Sequence, residues 1–255
     1  MLKDFLAALK NKDLWIYLSW YDVISKYRRT TLGPFWMIIM TFITIFGMAL
    51  LCARLFKVKV SDFLPYVACG MIVWGYITSI IIESCSVFLA QAPLIQNTQP
   101  PLLTYGLRLF LKNTIIFLHS LVILFILLYF YSTLSIHLVM LIPAFLIIAI
   151  NSVSFSIILG FFSSRYRDIL HMVQATLNLL ALLSPIMWKV EMLGEYTYLA
   201  NINPFTHFIA LFREPLLGHE ISTFSLQYVF VATLAGAILA QYLYTRFRNR
   251  LVFWL

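Results

Sequence analysis

The sequence predicts an all-α integral membrane protein. It has six transmembrane helices, an N-terminal amphipathic interface helix, and two short external re-entrant helices between spans five and six. Three observations predict this. Of 255 residues, 62% are hydrophobic and 11% charged, with a mean hydropathy of +0.91. Soluble domains sit near half apolar and a quarter charged, and a chain of this length cannot bury so much apolar surface and still show water a polar skin. The charged residues leave uncharged runs at 30–53, 63–82, 84–107, 113–164, 169–188 and 221–245, long enough for helices rather than barrel strands. Basic residues also fall unevenly on the two sides that these runs define. Disorder, collagen, a disulfide scaffold and a free soluble enzyme are excluded.

The chain opens with more than thirty residues of charged, aromatic sequence, too long before the first apolar run for a cleaved signal peptide. Within it, residues 12–30 form an amphipathic interface helix. Lys12, Ser19, Asp22, Lys26 and Arg29 share one stripe, and Leu14, Tyr17, Leu18, Trp20, Tyr21, Ile24 and Tyr27 cover most of the rest. Such a helix lies in the headgroup plane, either as a plain lipid anchor or also touching a cytoplasmic partner. Thr30–Thr31–Leu32–Gly33–Pro34 then breaks it. Pro34 suits a helix start, where its missing N–H would be unpaired anyway.

A spanning helix needs about 20 apolar residues, so the predicted spans are 35–53, 64–86, 109–131, 138–162, 170–188 and 224–244, a bundle over 35–244 in a single domain of 1–255. Spans three and four turn near Ser132–His137. The stretch 91–107 is read as a cytoplasmic loop, because Gln91, Gln96, Asn97, Gln99 and three prolines interrupt it. Ser152, Ser156 and Gly160 in span four, and Ala232, Gly236 and Ala240 in span six, put small residues on one face and predict close helix packing. In the external stretch 189–220, Asn203–Pro204 pairs an N-cap residue with proline at the first helical position. The helix it starts runs about ten residues, or ~15 Å, too short to cross, and a shorter piece precedes it near Gly194–Leu199.

With the N-terminus inside, Lys3, Lys10, Lys12, Lys26, Arg28, Arg29, Arg108, Lys112, Arg165, Arg167, Arg246, Arg248 and Arg250 are cytoplasmic, leaving Arg54, Lys57, Lys59, Lys189 and Arg213 outside. The positive-inside rule favours this orientation, with both termini cytoplasmic. Anionic headgroups account for the net charge of +8, and no nucleic acid is implied. Cys52, Cys69 and Cys85 read as inert buried thiols. Glu83, the one acid inside an apolar span, either snorkels or pairs with Lys112 or Arg108. Lys112, Asn113, His119 and Ser120 stripe the inner half of span three as a wet or inter-helical face. Deep aromatics such as Phe42, Phe46, Phe117 and Phe125 either pack against lipid or line a path for sugars. There is no phosphate loop, no His-Glu-x-x-His and no nucleophile elbow, and no mid-membrane relay of acids and histidines for a proton-driven carrier. What remains is transport driven by another chain.

Four motifs occur in order: Arg28–Arg29 with Leu32–Gly33–Pro34–Phe35–Trp36, then Arg165–Tyr166–Arg167–Asp168–Ile169, then Ser184–Pro185–Ile186, then Asn203–Pro204 with Arg213 and Gly218. Together they resemble the permease family of ABC transporters that export polysaccharides and polyol phosphates. Tyr105, Arg108, Lys112–Asn113 and Phe117–His119 are most similar to its O-antigen (Wzm-like) branch. The resemblance implies a bacterial inner-membrane permease for lipid-linked O-antigen-type polysaccharide, working as a homodimer with two copies of a nucleotide-binding ATPase subunit. ATP and Mg would be bound by that partner, with no cofactor in this chain. It further implies a cytoplasmic gate at Pro34, Phe35 and Trp36, and partner coupling through Tyr21, Arg28, Arg29, Leu94, Gln96, Asn97, Arg165 and Asp168. His119, Phe117, Phe205, Phe208 and Phe212 would line the channel or its exit. The loop after span two departs from the family. Gln96–Asn97–Thr98–Gln99 and Leu102–Leu103 stand where relatives carry charges, so hydrogen bonds or apolar docking replace a salt bridge there. Capsular polysaccharide or teichoic acid is the alternative cargo. An ABC exporter of drugs or small lipids and a membrane-embedded cell-wall enzyme are the more distant readings.

Overall fold

A computed structural model of the chain describes residues 2–28, 34–98, 100–130 and 136–255. All regular structure among them is helical: α1 (Leu2–Lys10), α2 (Lys12–Tyr27), α3 (Pro34–Phe56), α4 (Val60–Ser86), α5 (Ala92–Thr98), α6 (Leu103–Phe130), α7 (Leu141–Arg165), α8 (Ile169–Leu183), α9 (Thr197–Ile202), α10 (Pro204–Leu216), α11 (Thr223–Phe247) and α12 (Leu251–Trp254), with 3₁₀ turns between some of them. Five helices, α3, α4, α6, α7 and α11, are long and apolar enough to cross a bilayer. The chain is therefore a multi-pass membrane protein. The turn expected near Ser132–His137 and the break at 30–33 fall mostly outside the described residues.

The helix at the predicted fifth span stops early. α8 ends at Leu183, about 22 Å after its start at 1.5 Å per residue, although the apolar run continues to Trp188. Ser184 takes up an extended backbone (φ −95, ψ 144). Pro185 is the cause, because its ring disfavours α geometry in the preceding residue and it brings no N–H. The stretch 91–107, expected as a loop, is mostly helical. Pro93 falls in the first turn of α5, where no N–H is missed, and Pro100–Pro101 separates α5 from an early start of α6. Sequence reading also missed α1, whose buried Ala8 packs in a cluster with residues far along the chain.

α4 is the hub. It is the most buried of the candidate spans, at 61% of its apolar window, and it packs on α3, α6, α7, α8 and α10. Two apolar clusters hold the bundle. The larger one centres on rings from four helices: Tyr76 stacks on Phe117 at 4.4 Å, and Phe145 meets Phe212 edge-on at 5.3 Å. The smaller gathers Phe88, Tyr105, Phe161, Tyr244 and Leu251 at the end that carries α5. The small-residue face of span four packs closely as predicted, whereas at Gly236 of span six an added Cβ would meet nothing nearer than 4.0 Å. A Cβ on Gly106 of α6 would stand 2.5 Å from Ser156 Oγ, and one on Gly160 would stand 2.7 Å from the Phe88 ring. Between α7 and α11, Asn151 donates to Thr233 Oγ1 at 2.7 Å, an inter-helical bond of the kind that apolar surroundings favour.

Candidate functional site

Chemistry-bearing residues gather at the two ends of the bundle. At the α5 end, α2 lies along the start of α6. The Arg108 guanidinium donates to both oxygens of Asp22, at 2.8 and 2.7 Å, the two-pronged geometry that makes Arg–carboxylate pairs strong. Ser19 Oγ lies 2.6 Å from the Trp15 carbonyl and 3.0 Å from that of Arg108. Ser19 and Val23 are buried, whereas Leu14, Tyr17, Trp20, Tyr21 and Ile24 face outward. Ser19 and Asp22 of the polar stripe thus turn toward the bundle, Lys12 and Lys26 stay exposed, and the aromatic face turns away. Tyr27, at the end of α2, is held above the usual phenol range by burial. Glu83 pairs with Lys112 at 2.6 Å and accepts from Asn113 Nδ2 at 2.6 Å. Pairing, not snorkelling alone, is its solution, and the striped face of span three is inter-helical there. His119 places Nδ1 2.7 Å from the Ile115 carbonyl, on its own helix.

The residues expected to couple to a partner are spread over this same end. Tyr21 and Arg28 are exposed on α2, Leu94, Gln96 and Asn97 on α5, and Arg165 and Asp168 at the α7–α8 turn. Arg29 lies outside the described residues. Arg165 holds its guanidinium 5.4 Å from the Trp254 ring, and α12 packs on both α5 and α7. The C-terminal segment thus joins a surface that sequence reasoning had built without it. Arg248 meets Asp4 at 3.0 Å, tying α1 to the same region. Pro34 starts α3. Phe35 and Trp36 follow, 67% and 49% exposed.

At the other end, Ser184–Pro185–Ile186 and Asn203–Pro204, nearly twenty residues apart in sequence, meet in space. Asn203 caps α10 by accepting from Phe205 N at 3.0 Å, and its amide nitrogen donates to Ser184 Oγ at 2.9 Å and to the Leu183 carbonyl at 3.2 Å. Arg213 is 4% exposed. It donates from Nη1 to the Pro185 carbonyl at 2.5 Å, lies 4.3 Å from the Tyr66 ring centroid and pairs with Glu214 at 3.4 Å. Tyr66 Oη is 3.1 Å from the Trp188 carbonyl and 3.3 Å from that of Pro185. A Cβ on Gly70 would meet the Ile186 carbonyl at 2.8 Å, so glycine lets the turn after α8 lie against α4. The carbonyls of Leu183, Pro185 and Trp188 are therefore taken up by Asn203, Arg213 and Tyr66, while Ser184 and Trp188 bond back to the last turn of α8, at the Leu180 and Leu182 carbonyls. Sequence reading missed this clasp. The signal was available: the one arginine of a mostly apolar helix calls for buried partners.

The residues expected to line the channel or its exit divide by depth. Phe205 is half-buried against Trp74, with ring centroids 5.3 Å apart. Phe117, Phe208 and Phe212 lie inside the chain. Phe42 and Phe46 stack on each other at 5.9 Å on the outward face of α3. Among the described residues no group of three or more His, Cys, Asp or Glu side chains is placed to hold a metal ion.

The family model for ABC-2 type transporters matches residues 13–217, from α2 to just past α10. No curated protein matches the chain.

Proposed function

The chain belongs to the ABC-2 type transporter family, as a membrane permease subunit of a kind that works with nucleotide-binding subunits, and from that premise we propose that it exports lipid-linked O-antigen-type polysaccharide across the bacterial inner membrane. Two copies form the permease, and two ATPase subunits dock on the cytoplasmic side. ATP and Mg²⁺ belong to those subunits, and their binding favours one permease conformation over another. The α5 end is cytoplasmic, together with both termini.

The observation that carries the reading is the clasp. The motifs that resemble the polysaccharide-exporting branch, Ser184–Pro185–Ile186 and Asn203–Pro204 with Arg213, are the groups that bond to one another. In the proposal α8 and the irregular residues 184–189 together make a sixth, broken crossing. Irregular backbone is tolerated at membrane depth only where protein or water covers it, and here Tyr66, Asn203 and Arg213 satisfy its carbonyls. α10 lies alongside α4, its start at Trp74 and its later turns at Tyr66. That supports a re-entrant helix entering from outside and reaching about half way along α4.

The roles follow from position. Phe35 and Trp36, carried by Pro34 at the start of α3, form the cytoplasmic gate. Tyr21, Arg28, Arg29, Leu94, Gln96, Asn97, Arg165 and Asp168 receive the partner. Phe205 edges the exit, and Phe117, Phe208 and Phe212 seat α10 behind it, with His119 toward the inner half of the path. Deleting this chain in its host tests the cargo. Lipid-linked glycan should accumulate on the cytoplasmic leaflet, read by labelling intact and permeabilised cells. Wild-type glycan on the cell surface, with none trapped inside, refutes the assignment.

A further inference from the structure

The proposal above leaves a cavity without a role. It has a volume of about 550 Å³ and opens between α2, the end of α4 and the start of α6, with Asp22, Lys26, Glu83, Tyr105, Arg108 and Lys112 among its lining residues. Three of these side chains are cations and two are carboxylates, so the walls carry one excess positive charge. Each carboxylate already has its own cation: Asp22 takes Arg108, and Glu83 takes Lys112. Asp22 uses Nε and Nη2 of Arg108, which leaves Nη1 with two N–H donors. An ammonium has three donors, so Lys112 keeps two beyond its bond to Glu83. Among the described residues Lys26 makes no ion pair. The fourth donor is the most telling. Tyr105 is 3% exposed, yet its hydroxyl has no hydrogen-bond partner in the protein. A buried polar group left unpaired costs about 1–3 kcal/mol, and such groups in native proteins otherwise find protein or water.

We propose that this cavity binds a phosphate group carried on a lipid. A tetrahedral anion presents several acceptor oxygens, which suits Arg, Lys and Tyr donors lining one cavity, and the excess charge of the walls has the right sign. The site uses one part of the reading above, the interfacial seat of α2, and none of its cargo. α2 turns Tyr17, Trp20 and Ile24 outward, the face that settles at headgroup level. The cavity behind it therefore opens where lipid phosphates lie. Either a bilayer phospholipid or the phosphate end of a lipid-linked substrate supplies this chemistry.

The full-length chain, purified in neutral detergent, tests the site with two probes. Phosphatidylglycerol retention is read by native mass spectrometry, and inorganic diphosphate, standing for a phosphate end without acyl chains, is titrated calorimetrically. Tyr105→Phe removes only a hydroxyl that bonds to nothing in the protein, and Lys26→Gln alters an exposed side chain, so neither endangers folding. Each should weaken binding of whichever probe occupies the site by about tenfold, the loss of one hydrogen bond to a charged group. Retention of phosphatidylglycerol alone identifies a bilayer lipid as the source. Diphosphate binding identifies the phosphate end itself as sufficient. If neither probe binds, or both variants bind as the parent does, the proposal is overturned. Quenching of Trp20 by lipids brominated at known depth reports the seat of α2 separately, so a misplaced helix and an empty cavity give different results.

Discussion

Arg213 shows how much one side chain can hold in this fold. It is buried between a ring and a carbonyl, with Glu214 as its counter-ion. Removing one member of such a group leaves the others desolvated, at a cost of about 3–5 kcal/mol for a buried pair. Arg213→Ala should therefore lower the thermal unfolding midpoint in detergent markedly. Arg213→Lys should recover only part of the loss, because an ammonium lacks the planar fork that reaches the Pro185 carbonyl while covering the Tyr66 ring. Equal midpoints for lysine and arginine would show that charge alone matters there. Tyr66→Phe keeps the ring, loses the bonds to Pro185 and Trp188, and should fall between the two. Composition cannot reveal this residue's importance. Arg213 counts as one external cation in the charge tally, and its partners stand 28 and 147 positions away along the chain.

At the scale of elements, α2 separates what sequence periodicity shows from what it leaves open. Its helical stripe was legible, and so were its length and its amphipathic character. The side that faces the bundle was not, because Asp22 finds Arg108 86 residues later, and nothing local announces that pair. A charge exchange makes the point testable. Asp22→Arg or Arg108→Asp alone should release α2 from α6 and speed its proteolysis in detergent, and the two together should restore protection. Equal proteolysis in all four proteins would mean that Ser19, Val23 and the flanking apolar contacts dock the helix without the ion pair. The long spans were legible for a simpler reason: in lipid, length and apolarity alone select a helix. α8 was not, since the run of apolar residues to Trp188 outweighed the proline rule in the reading, while in the fold Pro185 prevails. The irregular segment persists because Tyr66, Asn203 and Arg213 bond to the carbonyls of Leu183, Pro185 and Trp188. α1 escaped notice because its burial rests on Ala8 and on distant residues at the C-terminal end.

On the scale of the whole molecule, the bundle is unevenly covered. α4 is enclosed on most sides, while α3 turns Phe35, Trp36, Ile39, Met40, Ile43 and Leu51 outward along its length. For most of that helix lipid is a sufficient neighbour. Phe35 and Trp36 differ in standing at the first turn, and in the proposed paired assembly they would close the path between copies. If they do, shortening both to alanine removes ring volume from the constriction without touching the buried core. Basal ion leak through proteoliposomes holding the permease with its ATPase should then rise several-fold before any nucleotide is added. Ile43→Ala with Leu51→Ala, exposed farther along the same helix, should leave conductance at its basal level. That control separates loss of a gate from general loosening of α3. Equal leak from both double variants would point to loosening, and no leak from either would remove Phe35 and Trp36 from the gate.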